Sequence, residues 1–265
     1  MESGIHIDSA LAIDAHCHLS NSAFNSDRGR VFEGCKERGL VLVDSPVNPE
    51  ELRTSLEFGS GRLGFYRTAG WEAARLDYGG AKEMAELIRA SRHSLVGIGE
   101  VGLDRFWVRD RAKWDEQERI FRLFIGLADE LDLPLVVHSR SAGSACIELL
   151  LSAGFRKVMM HAYDGSVGPA LRAASEGFVF SIPPSIIRSE QKLKLVRTLP
   201  LGRLMLESDA PALGPVKGER NTPENCLLSA SSIAEVKKIP LENVLSSAIK
   251  LSLEFFGSSL AAVST

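Results

Sequence analysis

Leu40-Val41-Leu42-Val43 places four apolar residues in succession. A strand with one wet face alternates apolar with polar residues. A run without alternation suits a strand covered on both faces, which is the situation in a parallel sheet. The residues before it, 27–38, have mixed charge and read as a helix ended by Gly39.

Working outward, the preceding strand is Leu11-Ala12-Ile13-Asp14-Ala15-His16-Cys17-His18. The side-chain period of 2 on a strand places Asp14, His16 and His18 on one face, with two imidazoles aimed at one point. Downstream, residues 49–58 read as a helix, 63–69 as a third strand and 81–92 as a helix. Residues 95–100 form a fourth strand, followed by a helix over 115–131 that stops before Pro134. Leu135-Val136-Val137-His138 is the fifth strand. Ser144 is the expected cap of the next helix, which Gly154 ends. Strands follow at 157–161, 178–181 and 204–209. Ser189-Glu190-Gln191-Lys192 opens a helix before Pro200, and amphipathic helices near 223–237 and 241–256 finish the chain. Eight strands alternating with helices predict one α/β domain over residues 1–265. Its simplest form is a closed TIM (β/α)8 barrel, with an open doubly wound sheet as the competing architecture.

The totals agree with a single large domain. The chain has 265 residues, 45% hydrophobic and 25% charged, with a net charge of −3. That balance excludes a protein coated in basic surface, although arginines clustered in a groove could still attract phosphate. Cys17, Cys35, Cys146 and Cys226 are scattered and read as reduced thiols. The stretch Met1-Glu2-Ser3-Gly4-Ile5-His6 shows no secretory pattern, and no apolar segment is long enough to span a bilayer. A cytoplasmic compartment, no membrane and no obligatory protein partner are therefore expected.

In a barrel of this kind working residues gather at the carboxyl ends of the strands. His16 and His18 end strand one, Glu100 strand four, His138 strand five, His161 strand six and Asp209 strand eight. Any one of them has an ordinary explanation as a satisfied core histidine or a capping carboxylate. Together they are costly to cluster without a cation, and one metal site at the C-terminal face explains all six. Just after strands or in the adjoining loops lie Arg105, Arg109, Arg140, Arg188, Lys217 and Arg220. They are candidate phosphate contacts, with Arg140 and Arg220 ranked first, though each could equally be a solvated surface charge. Trp107 and Trp114 could stack on a base or pack a helix.

Five ordered motifs carry a resemblance. They are Asp14-Ala15-His16-Cys17-His18-Leu19, Ile98-Gly99-Glu100-Val101-Gly102-Leu103-Asp104, Leu133-Pro134-Leu135-Val136-Val137-His138-Ser139-Arg140, His161-Ala162-Tyr163-Asp164-Gly165 and Glu207-Ser208-Asp209-Ala210-Pro211. The chain resembles the TatD-type metal-dependent hydrolases of the amidohydrolase superfamily, and residues 139–143 and 181–189 are similar to the TatD-domain-containing branch. The resemblance implies a deoxyribonuclease with two divalent ions (Mg, Mn or Zn). His16, His18 and Asp209 would hold one, His138 and His161 the other, and Glu100 would bridge them. Asp209 would also take a proton from the attacking water, and Asp14 would orient an imidazole from outside the ligand set. DNA or another phosphodiester is the implied substrate.

The chain departs from the family pattern in three places. After strand three the family's histidine is replaced in Gly70-Trp71-Glu72-Ala73, Ala212 replaces an aromatic residue, and Glu219 adds negative charge. A glutamate at the substrate side repels phosphate unless it is turned away or paired. Two alternatives therefore stand beside the exonuclease reading. One is hydrolysis of another ester or amide, such as a D-aminoacyl-tRNA, and the other is a metal-binding scaffold without catalysis.

Overall fold

The computed structural model describes residues 10–257, so Met1–His6 and the ends of the expected 1–265 domain lie outside the described residues. Strands and helices alternate along the chain: β1 (Ala12–Cys17), α1 (Arg28–Glu37), β2 (Leu40–Asp44), α2 (Pro49–Gly59), β3 (Phe65–Ala69), α3 (Tyr78–Ala90), β4 (Gly97–Gly102), α4 (Trp114–Glu130), β5 (Leu135–His138), α5 (Gly143–Ser152), β6 (Val158–Met160), α6 (Val167–Ser175), β7 (Val179–Ile182), α7 (Glu190–Thr198), β8 (Leu204–Leu206), α8 (Cys226–Lys237) and α9 (Leu241–Phe256).

The strands pair in parallel and in chain order from β1 to β8. Just past β8 the chain returns to β1: the Asp209 amide donates to the His16 carbonyl at 3.0 Å, and the His18 amide to the Ala210 carbonyl at 2.7 Å. This seam makes the sheet a TIM barrel and rules out the open alternative.

The continuous apolar strands fill two cores. Ile13, Val41, Val136, Met159, Val179 and Met205 point into the barrel, where Leu251 and Phe256 of α9 pack beneath them. The alternate residues, among them Leu40, Leu42, Leu135, Val137 and Phe180, face the helices. Each fully buried side chain of this size contributes about 1.5–3 kcal/mol. Helix starts follow local chemistry: Asn48 accepts from the Glu51 amide ahead of Pro49, Asp77 from the Gly80 amide, and Ser189 from the Lys192 amide. The expected cap at Ser144 is corrected. The cap is Ala142, two residues earlier, and the Gly143 amide at the helix start is satisfied by the Asp164 carbonyl at 3.2 Å.

Two irregularities shape the mouth. The β1–β2 register slips between Asp14 and Cys17, and the β4–β5 register slips between Ile98 and Val101, adding one residue to β1 and one to β4. Around the second slip the backbone is tightly packed: a Cβ on Gly99 would sit 2.5 Å from the Val136 carbonyl oxygen, and one on Gly102 would sit 2.0 Å from that of His138. Both glycines also have positive φ, 142° and 150°, which glycine adopts without strain. Strand eight is shorter than expected. It ends at Leu206, and Asp209 lies beyond it in a left-handed conformation with φ 53°. The four cysteines are free and buried. Among the described residues no helix is long and apolar enough to cross a membrane.

Candidate metal centre

At the carboxyl ends of the strands, imidazoles and carboxylates converge. His16 Nε2 and His18 Nε2 lie 3.1 Å apart. Glu100 turns one oxygen to each side: Oε2 is 3.5 Å from His16 Nε2 and 3.3 Å from His18 Nε2, while Oε1 meets His138 Nδ1 and lies 3.8 Å from His161 Nε2. Asp209 Oδ1 faces three imidazoles, at 3.4 Å from His18, 3.6 Å from His16 and 3.8 Å from His161. Among the described residues two ligand-type groups result, His16 with Glu100 and His161, and His16 with His18 and Asp209, the atoms of each all within 4.8 Å. For metal–nitrogen bonds of about 2.0–2.1 Å, neighbouring ligands of a tetrahedral set are about 3.4 Å apart. The separations observed bracket that value, so the donor set fits a cation.

Buried partners hold these groups in place. His16 Nδ1 is 3.0 Å from Ser45 Oγ, which accepts a further hydrogen bond from Thr68. His161 Nδ1 meets Glu207 Oε2 at 2.7 Å, and Glu207 also accepts from Ser181 Oγ and the Ala162 amide. His138 Nε2 meets Asp104 Oδ2 at 2.8 Å. A partner on the far nitrogen fixes ring orientation and tautomer, leaving the near nitrogen for a ligand.

The structure corrects the role expected of Asp14. Its carboxylate accepts from the Ser208 amide at 2.8 Å, the Ser208 hydroxyl at 2.6 Å and the His16 amide at 3.3 Å, and among the described residues it hydrogen-bonds no imidazole. That expectation came from the family motif, whereas in the fold Ser208 takes up both carboxylate oxygens of Asp14. Asp14 instead ties β1 to the loop after β8. The outer carboxylates that orient imidazoles are Glu207 and Asp104. Neither was given a role from sequence, although a carboxylate beside each ligating histidine is a usual requirement and both end strand motifs.

The charges couple strongly. Burial alone would raise Glu100, but His138 and His161 hold its carboxyl well below the usual range. Burial would likewise raise Asp209, which His161 and His18 pull down. His138 is disfavoured as a cation by burial, yet Glu100 and Asp104 push it up to about 10. His16 is lowered, by burial first and then by His161. Imidazoles must be neutral to bind a cation, so metal uptake here competes with protons.

A model of the family described as TatD related DNase matches residues 13–257. The chain belongs to this family. It is 39% identical over 258 residues to the human protein named Deoxyribonuclease TATDN3, covering 92% of this chain and 94% of that one. It is 32% identical over 246 residues to an uncharacterised metal-dependent hydrolase of Methanocaldococcus jannaschii, covering 92% and 96%. The solved structure of YJJV, the TATD homolog from Escherichia coli, superposes with a TM-score of 0.85 over 94% of this chain and 98% of that one, at 21% identity. The TatD-family chain is thus a metal-dependent hydrolase on a TIM barrel.

Two cavities open onto this cluster of imidazoles and carboxylates. One, of about 360 Å³, is lined by His18, Glu100, His138 and Asp209 together with Glu51, Glu72, Trp107 and Arg140. The other, of about 250 Å³, lies between His138, His161 and Asp209 and reaches Arg140 and Lys192. Arg140 is the expected arginine that lines both. Arg105 lies over the Trp114 ring beside Glu118, Arg188 donates to the Gly214 carbonyl, and Arg220 forms a two-pronged pair with Asp27 at 2.7 and 2.8 Å. These three arginines and Lys217 are not among the residues lining either cavity. Lys192 was read only as part of a helix start. It is buried, and its ammonium donates to the carbonyls of Ala162 and Tyr163. Burial pushes its pKa down.

Proposed function

We propose that this chain hydrolyses phosphodiester bonds of DNA at two divalent cations, of which Mg, Mn and Zn are candidates. The observation that carries the reading is the divided carboxylate of Glu100, one oxygen toward His16 and His18, the other toward His138 and His161. That arrangement suits a bridge between a cation held by His16, His18 and Asp209 and another held by His138 and His161. The similarity to a protein named a deoxyribonuclease supports DNA as the substrate.

Bound divalent cations supply Lewis acidity at the phosphoryl group and lower the pKa of water. Asp209, held ionised among three imidazoles, orients the attacking water and takes its proton. Glu207 and Asp104 keep His161 and His138 facing the reaction. The guanidinium of Arg140 contacts the substrate phosphate from the wall of the cavity. A labelled single strand incubated with the protein and Mn²⁺ should shorten, and Asp209→Asn should reduce the rate about 10²–10⁴-fold. Equal activity in the variant would overturn the assignment.

A second reading, hydrolysis of a carboxylic ester by the same groups, is favoured by the exposed Glu72 and the neighbouring Glu51 in the cavity wall. Glu72 repels a polyanion and welcomes a substrate cation, while Glu51 is held by Asn21 and the Val47 amide. Faster turnover of an aminoacyl ester than of the DNA strand would favour it.

A further inference from the structure

The loop after β4 presents two exposed aromatic rings, of which Trp107 lines the cavity of about 360 Å³. Trp107 is 66% exposed and Phe106 37% exposed, their rings 5.2 Å apart and edge to face. Trp71 and Trp114 are placed otherwise: Trp71 is buried with its indole N–H on the Arg75 carbonyl, and Trp114 donates to the Val108 carbonyl beneath Arg105.

The loop is fastened to the centre itself. Asp104 Oδ1 accepts the amides of Phe106 at 3.0 Å and Trp107 at 2.8 Å, while Oδ2 of the same carboxylate meets His138 Nε2. One side chain therefore fixes both an imidazole of the cluster and the position of Trp107. Arg140 completes the arrangement. Its guanidinium lies 3.8 Å above the Phe106 ring and 5.5 Å from that of Trp107, and the Arg105 amide donates to its carbonyl at 3.0 Å. Among the described residues Arg140 has aromatic neighbours and no carboxylate partner, so its charge stays available to an anion while its plane is held.

We infer that Trp107 and Arg140 form a platform for one unpaired nucleobase of the substrate, with the adjoining phosphate directed to the cation centre. The choice of a nucleobase rests on the phosphodiesterase reading. An exposed indole, a guanidinium 5.5 Å from its ring and the imidazole–carboxylate cluster in one cavity together match a flat ring joined to an anion. Bases inside a duplex have their faces covered by neighbours, so the platform takes an unstacked terminal or single-stranded nucleotide.

The test compares two polymers with the Mn²⁺-loaded protein: oligothymidylate, and the same backbone built of base-free tetrahydrofuran residues. Stacking is worth about 1–3 kcal/mol per base, so Trp107→Ala should lower kcat/KM on oligothymidylate by about 5- to 150-fold, mainly through KM. The base-free polymer should be cut equally by both proteins, and Trp107→Phe should keep most of the activity on oligothymidylate. Equal loss on both polymers, or no loss on either, overturns the platform. Independently of turnover, thymidine monophosphate should quench the tryptophan emission of the wild type and leave that of Trp107→Phe unchanged. Identical quenching in the two proteins also overturns it. Quenching that depends on Trp107, with no cleavage of either polymer by the wild type, would remove the phosphodiesterase reading and leave the platform standing.

Discussion

In the lower half of the barrel Ile13, Val41, Val136, Met159 and Met205 meet as an apolar plug; in the upper half the same or adjacent strands carry His16, Ser45, Thr68, Glu100, His161 and, just beyond β8, Glu207 and Asp209. Both layers are almost fully removed from water. The lower gains free energy directly from burial. The upper needs partners for its polar atoms, and most find them through Ser45, Thr68, Ser181, Ser208 and the outer carboxylates, while Asp44 Oδ2 and Ser139 Oγ have none among the described residues. The apolar layer holds the strands at fixed spacing, and that rigidity lets an otherwise costly polar cluster persist above it.

If the halves divide the labour in this way, damage to each should read out differently. Met159→Ala removes a fully buried side chain from the plug and should cost about 2–5 kcal/mol in thermal or denaturant unfolding. The rate per folded molecule should stay at the wild-type value. A matching fall in that rate would show that the two layers are not separable.

Glu207→Gln is the complementary change in the upper half. Glutamine can still accept one hydrogen bond but lacks the charge facing His161 Nδ1. Cation affinity should fall about 10- to 100-fold while unfolding shifts less than in Met159→Ala. Calorimetric titration with Mn²⁺ checks the affinity, and unchanged affinity would deny Glu207 its orienting role.

The mildest expected effect lies at the outer rim. Asp27, paired with Arg220, is held near a pKa of about 2, chiefly by that hydrogen-bonded pair, against an ordinary value of 3.8. A carboxyl lowered on folding stabilises the fold above its unfolded value and loses that contribution as pH falls through the folded one. Wild type should therefore melt slightly above Arg220→Ala at neutral pH, and the gap should close between about pH 4 and pH 2. A gap independent of pH would mean the pair adds nothing through its charge.

Most of the architecture was legible because barrel strands covered on both faces read as apolar runs. Strand β5 falls at Leu135–His138 and helix α9 at Leu241–Phe256, as expected from the pattern. The six ligand-type residues were legible for a related reason, since each follows such a run at the end where a βα loop begins. Asp14 was misread because its role was carried over from the family motif, and a motif within one strand does not reveal that Ser208, 194 residues away, supplies its partners. The rim arginines were beyond reach for another reason: Arg105, Arg188 and Arg220 satisfy loop carbonyls, rings and carboxylates that only the folded chain brings near. Glu72 was flagged as a departure, and it does lie in the cavity wall.

The proposed centre stands or falls on cation stoichiometry. Equilibrium dialysis of the metal-free chain against Mn²⁺ or Zn²⁺, followed by elemental analysis, should give two ions per wild-type chain and fewer than two in Glu100→Gln. Two ions in both proteins, or none in the wild type, would contradict a centre bridged by Glu100.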